Sequence, residues 1–224
     1  MITPVNALWG FSILIAAIIA LVRFNKISKC YWPIVFCIWV ASLNGILSYL
    51  LAINGYHNAV NNNIYVLAEA LLFFTFFKNM GIFKKVPRSF KIFMGSMVLL
   101  WLWEIGVQGK ITYVSSLFRI TYSFFIVLMS ITVINKLLIL DMYRPLEMDS
   151  RGILRNPVFL ICVGAIVFFT FKVLVEIFWL YGLDHSNAFR MKLYDILIYI
   201  NLVKNGIYAL AVLWILPKQK YIML

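Results

Sequence analysis

Seven ionisable residues stand inside long apolar stretches of this chain: Glu69, Glu104, Arg119, Lys172, Glu176, Asp195 and Lys204. The stretch "YINLVKNGIYAL" sets Lys204 near the middle of one of them. A desolvated lysine can act as a Schiff-base nucleophile with a carboxylate as counter-ion. A carboxylate pair such as Glu69 and Glu176 can do acid–base work if the two converge. An ionisable group at membrane depth is costly and marks a functional site by default. The structural alternative for each is an interior ion pair or a side chain that snorkels to the interface.

Spacing sorts these charges onto faces. Arg119 shares three- and four-residue steps with Thr112, Ser115, Ser116, Tyr122, Ser123 and Ser130. Cys37, Ala41, Asn44, Gly45 and Ser48 make a small and polar face of the kind that lets helices approach closely. Tyr65 and Glu69 are four apart, as are Lys172 and Glu176. Asn201, Lys204 and Tyr208 share a face, with Asn205 beside them. Asp195 lies half a turn away from Lys204, so the partner of Lys204 must come from another helix, with Glu69 and Glu176 the first candidates. The pattern predicts one intramembrane polar network of Asn44, Glu69, Arg119, Tyr122, Lys172, Glu176, Asn201, Lys204 and Asn205. It predicts an outer vestibule holding Glu104, Asp195, His57 and His185.

Other chemistry lacks its residues. There is no HExxH, no GxSxG and no Gly-rich phosphate loop, and the two histidines stand in turn-rich connections. Cys30, Cys37 and Cys162 form no CxxC and leave one over. Neither an enzyme, a metal nor a cofactor is expected. Retinal stays open only through Lys204, and the position one turn before it, where microbial rhodopsins carry an acid, is Ile200.

The elements that carry these residues must be membrane helices. The chain is 64% hydrophobic and 12% charged, where a soluble domain is about half apolar and about a quarter charged. That excess cannot be hidden in a water-soluble core. A span needs about 20 apolar residues. Stretches near 3–22, 33–53, 63–80, 91–108, 112–140, 157–182 and 190–216 qualify, within a single transmembrane domain over 1–224. "ALWGFSILIAAIIALV" has no basic residue before it and no small-x-small site after it, which predicts a retained helix. "INGYHNAVNNN" and "GLDHSNA" read as turns.

Lysine and arginine crowd the connections over 23–29, 78–91, 136–155 and 218–220, while the opposite connections hold only Lys110, Arg190 and Lys192. By the positive-inside rule the N-terminus is outside and the C-terminus cytoplasmic. Most of the +12 net charge is then cytoplasmic, suited to anionic lipids and to a protein partner. Lys84, Lys85, Arg88, Lys91, Arg151 and Arg155 make that basic face. The buried charges fall at mid-membrane or in the outer half, which predicts a polar cavity opening outward above an apolar plug.

"NNIYVLAEALLFFTFFK", with Tyr65 and Glu69, resembles the third helix of small seven-helix membrane proteins of Bacteroidetes. "YINLVKNGIYAL", through Asn201, Asn205 and Tyr208, is similar to their last helix. Some of those proteins look like the membrane accessory proteins encoded beside RNA-targeting type VI-B CRISPR effectors. The resemblance implies modulation of an antiviral nuclease at the membrane, with the basic cytoplasmic face as contact surface.

The expectation is an all-α, seven-transmembrane-helix bundle of the inner (plasma) membrane. Its partners would be the lipid bilayer, a protein such as a CRISPR effector nuclease, and a second copy in a homo-oligomer. The leading function class is a non-enzymatic accessory, regulatory or sensor-like protein. A small-solute transporter or channel and a ligand- or retinal-binding receptor are the alternatives.

Overall fold

The structure is a computed structural model that describes residues 11–112, 116–142, 153–181 and 187–215. Among these residues it is helical throughout, without a strand. The helices are α1 (Leu14–Arg23), α2 (Trp32–Ile53), α3 (Ala59–Asn79), α4 (Pro87–Leu102), α5 (Leu117–Met142), α6 (Pro157–Tyr181) and α7 (Asn187–Trp214). From α2 onward each is long and apolar enough to cross a membrane, which makes six in the described residues. The chain is therefore a multi-pass helical membrane bundle. The described part of α1 has 10 residues, and 3–10 of the predicted first span lie outside the described residues.

The helix ends follow local chemistry. Pro33 and Pro87 stand in the first turns of α2 and α4, and Pro157 opens α6, where a missing N–H costs nothing. Gly55 and Gly81 close α2 and α3 with φ of 74° and 81°. Past Gly81, the Ile82 N–H reaches back to the Phe77 carbonyl at 3.2 Å, an arrangement that only a left-handed residue permits.

α6 packs between α5 and α7, α2 packs on α3, and α1 lies along α7. α1 and α7 run parallel. Ser12, just before α1, accepts from Asn205 Nδ2 at 2.7 Å. At the other end Arg23 donates to the Val212 and Ile215 carbonyls at 2.9 and 2.8 Å. Arg23, read from the sequence as loop charge, thus caps the negative end of α7. One turn beyond Glu69, a phenylalanine layer begins. Phe73 meets Phe169 edge-on at 5.3 Å, and Phe93 meets Phe74 and Phe125, also edge-on, at 4.8 and 4.9 Å. This layer lies on the C-terminal side of Glu69 along α3.

Several boundaries differ from the sequence reading, among them the start of α4 at Pro87 and not 91 and that of α7 at Asn187 and not 190. α3 begins at Ala59, so Asn61, Asn62 and Asn63 lie in its first turns instead of a loop. Their amides are held by α2: Asn61 donates to Asn44 Oδ1 at 2.7 Å and to Ser48 Oγ at 3.2 Å, and Asn44 donates to Asn62 Oδ1 at 3.2 Å. α5 begins at Leu117, not at 112. Thr112 belongs to a separate 3-10 turn (Lys110–Thr112) and does not share the Arg119 stripe; Ser116 caps α5, its hydroxyl accepting from the Arg119 N–H at 3.2 Å, and Ser115 lies outside the described residues.

Gly164 marks the closest approach of α6 to α7. A Cβ there would stand 2.9 Å from the Tyr208 ring. Gly164→Ala is expected to cost roughly 1–3 kcal/mol through overpacking, read as a lower midpoint of thermal unfolding in detergent.

Candidate functional site: a buried ion network across four helices

Glu69 on α3 is 2% exposed and sits at the centre of the buried charges. The Tyr65 hydroxyl, one turn earlier, donates to Oε1 at 2.7 Å. The Tyr122 hydroxyl of α5 donates to Oε2 at 2.7 Å. Lys172 of α6 approaches the same Oε2 at 3.5 Å and also donates to the Tyr122 hydroxyl. The tyrosine therefore relays between base and acid. The Lys172 ammonium is wrapped by the rings of Tyr122 at 4.9 Å and Phe169 at 5.4 Å, whose π-faces partly replace lost hydration.

A second pair lies one turn along α6. Glu176 Oε1 is 3.6 Å from Arg119 Nη1 of α5. Arg119 Nη2 donates to Asn63 Oδ1 at 2.9 Å. Asn63 in turn donates to the Ile111 carbonyl at 2.6 Å, and its own carbonyl accepts from Trp101 Nε1 at 3.1 Å. α6 thus gives its base to α3 and its acid to α5, four residues apart. The two pairs tie three helices together, Glu69–Lys172 at mid-helix and Arg119–Glu176 nearer the end where α3 and α5 begin.

Lys204 of α7 is the fourth helix's contribution and is 7% exposed. Its ammonium lies 4.0 Å above the centre of the Phe168 ring and 5.7 Å from that of Tyr208. The expected contact pairing with Glu69 or Glu176 does not form, because Lys172 and Arg119 occupy those carboxylates. The predicted network accordingly divides. Glu69, Tyr122 and Lys172 come together, as do Arg119 and Glu176. Asn44 serves the α2–α3 seam, and Asn205 binds Ser12. Asn201 is buried on the Lys204 face of α7.

Glu104 has a role that its place in the sequence did not announce. It is 2% exposed. After Leu102 the fourth helix widens into a π-helical turn, Trp103–Val107, with the Gln108 N–H bonded to the Trp103 carbonyl at 3.1 Å. That turn carries the Glu104 carboxylate to the start of α5, where it accepts from the Leu117 N–H at 2.7 Å and the Phe118 N–H at 2.8 Å. Glu104 is therefore a cap supplied by a neighbouring helix: the orphan donors and positive end of α5 hold the carboxylate away from water. It also lines a small hollow with Asn63, Val66, Trp101, Lys110, Ser116 and Phe118. Asp195 and His57 are exposed, and His185 lies outside the described residues. Lys84, Lys85, Arg88, Lys91 and Arg155 are exposed as expected of a solvent-facing basic surface, and Arg151 lies outside the described residues.

Asn63 was missed by the sequence reading, which placed it in a turn. The signal was present in phase: Asn63, Val66, Ala70, Phe73 and Phe77 form one buried helical stripe.

No protein-family model matches this chain, and neither a curated protein nor a solved structure does. Fold and site by themselves define a class: a multi-pass helical membrane bundle with ion pairs interred between its helices.

Two outcomes test this geometry. Glu69→Gln leaves Lys172 without its charge partner and is expected to cost roughly 3–5 kcal/mol; adding Lys172→Met should restore much of that, a coupling read from a double-mutant cycle of unfolding midpoints. Glu104→Ala is expected to cost about 2 kcal/mol by uncapping α5, with faster hydrogen exchange at the Leu117 and Phe118 amides.

Proposed function

We propose that this protein is a non-enzymatic seven-helix regulator or sensor-like protein of the inner (plasma) membrane, with its N-terminus outside and its C-terminus in the cytoplasm. Its buried ion network is the responsive element, and its basic cytoplasmic face is the output surface. One observation carries the reading: the Glu69–Lys172 and Arg119–Glu176 pairs join α3, α5 and α6 from mid-helix toward the end opposite the basic connections. A change of charge at either pair alters how three helices pack, and α3, α5 and α6 all run on to the basic side. The parallel run of α1 and α7 supports an odd number of crossings. The hollow beside Asn63 and Glu104 supports an opening on the outer side. The resemblance to CRISPR accessory proteins supplies one partner class, an RNA-targeting nuclease held at the basic face.

Spin labels at Lys85→Cys and Arg155→Cys, in a Cys30→Ser background, test the coupling. The Glu69→Gln, Lys172→Met pair is expected to shift the distance distribution between them in the folded protein. An unchanged distribution refutes the regulatory reading. Solute flux in proteoliposomes that disappears with Arg119→Ala would replace it with a transporter.

A further inference from the structure

The buried charges do not balance around Lys204. Arg119 and Glu176 neutralise each other at 3.6 Å. Glu69 is matched by Lys172 at 3.5 Å and already accepts from two tyrosines. Glu104 is committed to the backbone of α5, and Asp195 is exposed. The other titratable groups facing Lys204 are Glu69, Lys172 and the Cys37 thiol. Among the described residues, one positive charge therefore stays in the core without an anion at contact distance, an arrangement that is unfavourable unless something compensates it.

The hydrogen bonding around Lys204 is incomplete as well. Tyr208 stands one turn further along the same face of α7 and is 3% exposed. Its hydroxyl is buried and has no hydrogen-bond partner. Beside it, Asn205 Oδ1 is also buried and unpartnered. Buried polar groups in native proteins are nearly always satisfied, and each exception calls for a reason such as a bound ion or water. Lys204 retains some accessible surface, so its surroundings are not sealed at the resolution of a water-sized group.

We infer that Lys204 and Tyr208 form a binding site for a small monovalent anion, of halide or formate size. The ammonium supplies the charge and the phenol supplies a directed O–H. One negative charge would match the one ammonium that has no carboxylate in contact, whereas a divalent anion would leave an excess negative charge beside it. The ring of Phe168 under the ammonium leaves an apolar floor that favours a weakly hydrated ion. A water between Asn205 and the anion would satisfy the remaining acceptor. The site stands on charge balance and open donors, so it does not depend on the regulatory reading.

The test is thermal unfolding of the purified full chain in detergent at constant ionic strength, with potassium gluconate replaced stepwise by chloride, bromide or formate. The midpoint is expected to rise saturably with at least one of these ions. Lys204→Met should abolish the dependence, and Tyr208→Phe should raise the half-saturating concentration about ten-fold, the effect of losing one hydrogen bond to a charged group. A midpoint indifferent to anion identity overturns the site, and so does a dependence retained in Lys204→Met. If Lys204→Met does not fold, Tyr208→Phe decides alone, since it removes only an unpartnered hydroxyl: an unchanged half-saturation overturns the proposal.

Discussion

A carboxylate in the middle of a membrane bundle has no water to turn to, and the surroundings of Glu69 are arranged around that constraint. Two phenols and an ammonium converge on its two oxygens. Those donors arrive from α3 itself, from α5 and from α6, so satisfying one acid fixes the rotation of three helices. A polar contact of this kind is directional, unlike the apolar packing between the same helices, which tolerates sliding. In lipid, where apolar surface gains little by choosing protein over acyl chain, direction is what selects one packing among many. The Arg119–Glu176 pair repeats the device one turn along α6 and extends it through Asn63 to the loop carbonyl of Ile111.

Helix ends present the same difficulty in another form, since each leaves backbone groups without partners. Two of them are answered by distant charged side chains. Glu104 caps the first amides of α5, and Arg23 caps the last carbonyls of α7. Each charge sits at the helix end whose dipole favours it. The π-helical turn after α4 belongs to this solution, because it changes the angular position of Glu104 enough to reach a helix that begins after the next loop. A feature that looks from sequence like a lone acid near a membrane surface is a structural joint.

The bundle is consequently divided along its axis. One end holds the ion pairs, the asparagine seam between α2 and α3, and the Glu104 cap. The other holds the phenylalanine layer from Phe73 to Phe125, beyond which lie the exposed lysines and arginines. The aromatic layer stands between the charged end and the basic end. α7 is the least constrained participant: Lys204 contributes charge without a contact partner, so α7 is joined to the network through rings and close packing at Gly164.

The sequence by itself determined the class of the fold. Apolar runs of spanning length, prolines at helix starts and the one-sided basic connections leave no soluble alternative, since these are properties of local composition. It also marked Glu69, Arg119, Lys172, Glu176 and Lys204 as interior, because a charge within an apolar run has few other places to go. Helical phase showed that Asp195 faces away from Lys204. Only the tertiary structure decided who pairs with whom. Lys172 takes Glu69 in place of Lys204 because α6, not α7, brings its lysine within reach of α3. Glu104 caps α5 as well as lining a hollow because of where a π-helical turn and α5 meet. Asn63 joins Arg119 because α3 starts a turn earlier than its polar composition implies, held there by asparagines bonding to α2. Pairings between helices depend on rotation and depth, and single-helix periodicity carries neither.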